Sequence, residues 1–174
     1  MSESFERMLT GGHPNSLGRT EDVVALILED RARLDELYQC YFSADEVVRL
    51  RVSSAMKRVT KAHPEWTLEF MDGLQSEIAA IDQASTQWTL ALLFDLTRPI
   101  LSRKQRTRAV AIMKNNLIHH QDWIVLNNSM QVLFDWRDEV KALSDWLAPE
   151  LRRLSKDPRK SVAKRAKKLL DQLA

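Results

Sequence analysis

The chain is poor in residues that punctuate a backbone. It has four glycines and five prolines in 174 positions, and Gly11, Gly12, Pro14 and Gly18 crowd one end. From residue 19 onward few turn formers remain, which argues against a meandering sheet and for helices on short loops. A single cysteine, Cys40, excludes an internal disulfide and reads as a buried apolar filler in a reducing compartment. No apolar run approaches the roughly 20 residues that span a bilayer. The opening Met1-Ser-Glu-Ser-Phe-Glu-Arg has neither a basic n-region nor an apolar h-region, so the expected location is cytoplasmic. Also lacking are a glycine-rich phosphate loop, a CxxC pair and a nucleophile elbow. The expectation is therefore a protein that is not an enzyme and needs no cofactor.

What is present is the balance of a globular domain: 44% apolar and 29% charged residues, enough to bury a core without staples. Charge is uneven. The whole chain carries +2, but residues 149–174 hold nine Lys or Arg against three acids. That end is +6, which leaves −4 for the preceding residues. A basic end on an acidic body points either to an anionic partner or to a solvated helix closing a stack of helices.

The organising feature is a recurrence. Asp45, Asp82, Asp122 and Asp157 each open an amphipathic segment, and the starts lie 37, 40 and 35 residues apart. A period near 40 residues, with a second helical pattern in each interval, marks stacked helix pairs. Residues 1–18 read as a flexible tail, and order is expected from Thr20, an N-cap followed by Glu21 and Asp22. Ser43-Ala-Asp-Glu46 predicts a capping box, and Val48, Val52, Ala55, Met56 and Val59 form one helical stripe behind it. Pro64 suits a first helical position. Trp88 to Phe94 is apolar almost all round, which places that helix mid-stack. Ser102-Arg-Lys-Gln105 predicts a second capping box. Pro149 inside an apolar pattern predicts a kink or two shorter helices. The expected fold class is all-α, with one domain over 19–174.

Asp45-Glu-Val-Val-Arg49, followed by Ala55 and Val59, resembles the second helix of a HEAT repeat. The segment from Asp157 through Val162 resembles the same helix, while the Asp82 and Asp122 copies offer Thr86 and Leu126 where the family has arginine. The resemblance implies a HEAT-like α-solenoid, of about four helical pairs, with a polar Asp–Arg ladder between repeats. The whole chain also resembles small bacterial HEAT-like proteins without an assigned reaction. It also implies a protein-binding module or scaffold whose second helices line a concave side.

On that reading the contact candidates are the polar residues off the apolar stripes: Arg49, Arg51, Lys57, Arg58, Gln83, Gln87, Asn127, Asn128 and Gln131. A nucleic-acid alternative rests on the basic C-terminal residues Arg159, Lys160, Lys164, Arg165, Lys167 and Lys168, since phosphate contacts need little beyond spaced positive charge. More remotely, alkylation-repair DNA glycosylases combine a HEAT-like stack with tryptophans and an aspartate, and this chain has Trp66, Trp88, Trp123, Trp136 and Trp146 with Asp95 and Asp135. Adjacent His119 and His120 project about 100° apart on a helix, which excludes chelation by the pair and leaves no metal site. The expected partner is a protein, with no membrane contact and a monomer or weak homodimer as the assembly.

Overall fold

Side-chain caps at Ser4, Asp45, Ser102 and Asp122 fix the starts of four helices. In the computed structural model, which describes residues 3–173, helix is the only regular structure. A short α1 (Phe5–Leu9) precedes α2 (Thr20–Glu29) and α3 (Leu34–Gln39). After them come α4 (Glu46–Ala62), α5 (Pro64–Thr67) and α6 (Met71–Gly73). The second half holds α7 (Ala84–Thr97), α8 (Arg103–His119), α9 (Trp123–Asp135), α10 (Leu143–Leu154) and α11 (Lys160–Leu173). No helix among the described residues is long and apolar enough to cross a membrane.

All five predicted stripe residues of α4 are buried, as a 3.6-residue period demands. The Ser102–Gln105 box starts α8 with both reciprocal bonds present. Asp122 caps α9, its Oδ1 accepting from the amides of Ile124 and Val125. Pro64 opens α5 as expected.

Several expectations change. The cap of α2 is Arg19, without a side-chain bond, and Thr20 is the first residue of the helix. The cap of α4 is Asp45, which accepts from the Val47 amide, while Ser43 Oγ accepts from Asp45 itself. Ser43 thus lies outside the capping position, and its pairing with Glu46 does not form a box. The cap of α7 is Gln83 rather than Asp82. The segment after Pro64 is not one helix: a 3₁₀ turn at Leu68–Phe70 and a π-turn at Leu74–Ile78 interrupt it. Gly73 sits at the junction, where an added Cβ would lie 2.0 Å from Tyr38 Oη. Pro149, conversely, is accommodated within a single helix, α10.

The predicted tail is the largest correction. Residues 1 and 2 lie outside the described residues, but Phe5, Met8 and Leu9 of α1 are buried in the core. Burying three large apolar side chains stabilises this segment by about 1.5–3 kcal/mol each at most. Its missing polar partners are supplied by Arg51 of α4. The guanidinium donates to the carbonyls of Leu9 and Gly11 at 2.6 Å, of Ser16 at 3.1 Å and of His13 at 3.2 Å.

One row of helices runs through the molecule in chain order, α4 packing on α2, α7 on α4, α9 on α7 and α11 on α9. Beside this row, α8 packs against α7 and α9, and α10 against α9 and α11. This leaves α7 covered by neighbours. None of its residues is fully exposed, which explains a segment that is apolar on nearly every side.

Candidate interaction face

The positions of α4, α7 and α9 that escape burial define a face of the molecule. On α7 they are Ala84, Trp88, Leu92, Asp95 and Leu96, the first three and Leu96 at successive four-residue steps and so on one side of the helix. On α9 they include Ile124, Asn128, Gln131 and Asp135, and on α4 Val47, Leu50, Ser54, Lys57 and Lys61. α7 packs against α4, α9, α8 and α5, so its half-exposed strip points to the side those helices leave open. Half-exposed Trp88, Leu92 and Leu96 thus form an apolar strip between two more polar helices.

Most of the polar residues expected to meet a partner are engaged within the fold. Arg51 is 1% exposed and holds the N-terminal segment. Gln87 is buried, donating to the Ala79 and Ile81 carbonyls and accepting from Asn116 Nδ2 at 3.0 Å. Asn127 is buried as well. Arg49 Nε donates to Gln83 Oε1 at 2.6 Å, and Gln83 Nε2 donates to the Glu46 carbonyl at 2.9 Å. Asn128 Nδ2 reaches the Trp88 carbonyl at 3.2 Å, and Gln131 Oε1 accepts from Arg165 at 2.7 Å. Arg58 turns back onto Ser54. Of the nine candidates, Lys57 alone is half-exposed with no hydrogen bond or ion pair among the described residues. Distance from an apolar stripe identifies a residue that is not core-facing, but it does not distinguish solvent from the neighbouring helix.

These links share one span. Arg49–Gln83, Trp88–Asn128, Gln131–Arg165 and Trp136–Asp95 join residues 34, 40, 34 and 41 apart. Outside that row, Arg108–Asp72 and Arg153–Leu117 are both 36 apart. These six connections span 34 to 41 residues, close to the period at which the aspartates recur.

The basic end behaves differently along its length. Lys160, Lys164, Lys167 and Lys168 are exposed. Arg159 is not free: it pairs with Asp157 through two 2.7 Å bonds and also contacts the Gln121 carbonyl. The Arg159 guanidinium holds the Asp157 carboxyl below its ordinary value. Arg165 is committed to Gln131.

The residues offered for chemistry are not gathered into a site. Trp136 is fully buried, and its Nε1 donates to Asp95 Oδ1 at 2.9 Å. Asp135 accepts from Gln131, and Trp123 stands half-exposed at the start of α9. Cys40 is buried, and burial, with help from Glu6 and Glu36, pushes its thiol up to about 11. No group of three His, Cys, Asp or Glu that could hold a metal occurs among the described residues. No protein-family profile, no curated protein and no solved structure matches the chain.

Proposed function

We propose that the chain is a short HEAT-like α-solenoid that works as a non-enzymatic protein-binding module, using the face of α4, α7 and α9. The observation that carries this reading is the half-exposed apolar strip Trp88, Leu92 and Leu96 on a helix otherwise enclosed by its neighbours. A surface of that kind, with charged residues at its margins, is what protein interfaces offer at their centres. The solenoid assignment is supported by the chain-ordered packing of α2, α4, α7, α9 and α11 and by polar links one repeat apart.

The test is capture of partners from the native cell by tagged protein, with nuclease, comparing wild type with Leu92→Arg. A partner retained by the wild type and lost with the variant supports the reading. Equal retention removes it. Leu92 is half-exposed, so the arginine has room to reach solvent and the fold is expected to survive.

A second reading is favoured by one observation, the exposure of Lys160, Lys164, Lys167 and Lys168 on one side of α11. Their spacing suits a phosphate backbone, and such binding falls steeply with salt. If that association operates, charge reversal at Lys164, Lys167 and Lys168 abolishes the salt dependence. An unchanged isotherm counts against it.

A further inference from the structure

The N-terminal segment, α4 and α7 enclose a cleft of about 210 Å³. Leu17, Leu50 and Trp88 line it with apolar surface, and Arg51 and Lys57 line it with positive charge. No carboxylate is among its lining residues. Buried charges are ordinarily paired, yet buried Arg51 has no ion-pair partner among the described residues, and half-exposed Lys57 has none either. Arg51 has its guanidinium donors on four backbone carbonyls. These dipoles satisfy its hydrogen bonding without cancelling its charge. Lys57 keeps three ammonium donors for an incoming group.

Two uncompensated cations against a low-dielectric wall create a positive potential that favours a carboxylate. The volume is below the roughly 300–1,000 Å³ of small-molecule and cofactor sites. It suits a side-chain-sized insert instead. The cleft also adjoins the strip of α7 described above, since Trp88 belongs to both.

We propose that this cleft anchors the protein partner by taking an acidic residue and a neighbouring large apolar residue from one partner segment. The carboxylate sits at Lys57, over the field of Arg51, and the apolar side chain packs on Leu17, Leu50 and Trp88. The proposal rests on the protein-binding reading and specifies the chemistry of its partner.

The experiment is titration of ¹⁵N-labelled full-length protein with an N-acetylated, C-amidated hexapeptide that alternates aspartate with leucine and phenylalanine. A control peptide carries asparagine in place of each aspartate. The expected shifts map to the amides of residues 15–17, 50–57 and 88–89, and the asparagine peptide binds about tenfold or more weakly, as loss of a charge pair at an interface does. Lys57→Glu is expected to weaken the acidic peptide by a similar factor with an unchanged thermal midpoint. Equal binding of the two peptides, shifts confined to α11, no shifts at all, or full binding by Lys57→Glu overturns the proposal. Partner capture separates the two ideas. If Lys57→Glu captures the partner fully while Leu92→Arg does not, the cleft assignment fails and the face stands. If Leu92→Arg also captures it fully, the face fails too.

Discussion

Gly18 lies so close to Arg51 that a Cβ added to it would stand 2.9 Å from Cζ and 3.0 Å from Nη1 of the guanidinium. The glycine also has φ of +52°, in the left-handed region where side chains are disfavoured. Both constraints follow from the way Arg51 gathers the N-terminal segment around itself. Gly18→Ala is therefore expected to destabilise the protein by about 1–3 kcal/mol, from backbone strain and a displaced guanidinium. Urea unfolding measures it, and a change within about 0.3 kcal/mol contradicts the placement.

Arg51→Met removes four bonds to carbonyls in one step. Hydrogen bonds to a charged group are worth about 1.5–3 kcal/mol apiece but are not additive, so a loss of about 3 kcal/mol in total is expected. Amide exchange should locate the effect. Protection falls first in residues 5–18 while the centre of α7 keeps its own, because the segment can detach before the stack opens.

Gln83 links α4 to α7 through Arg49 and the Glu46 carbonyl. A double-mutant cycle of Arg49→Ala and Gln83→Ala should give a coupling of about 1.5 kcal/mol, the low end for a hydrogen bond with one charged partner, because the pair is only partly buried. Additive single effects would show that the two side chains act independently.

The Asp157–Arg159 pair sets a pH dependence. The bond from Arg159 holds the Asp157 carboxyl below its ordinary value of 3.8. A depressed folded-state pKa means that the pair's stabilisation is complete above the unfolded-state value and is lost as pH falls through the folded one. Thermal midpoints of wild type and Asp157→Asn should differ near neutral pH and converge as the medium is acidified below about pH 4. A gap that persists unchanged at low pH contradicts the pairing.

The legible parts of this fold are those whose cause lies within a few residues. Ser102 and Gln105 are three apart, and their box is present; the α4 stripe repeats every turn and is buried throughout. The N-terminal segment reads as a tail because its anchor, Arg51, lies 42 residues beyond Leu9. Even so, Phe5, Met8 and Leu9 carry a one-sided helical spacing that marks a short buried turn. Gln87 and Asn127 read as surface residues because polarity alone does not separate a helix–helix seam from solvent. The π-turn at Leu74–Ile78 follows directly on Gly73, where the chain meets Tyr38, a contact between distant segments that no local pattern encodes. For the candidate site, Lys57 is visible in the sequence as a cation off the stripe, but its apolar companions Leu17 and Trp88 come from other elements.

The most direct test is photo-crosslinking in the native cell, with p-benzoylphenylalanine placed at Leu92 on the proposed face or at exposed Ala111 on α8. The expected result is a discrete, nuclease-resistant protein adduct from position 92 and none from position 111. An adduct from position 111, no adduct from 92, or a position-92 product that nuclease destroys would contradict the proposed face.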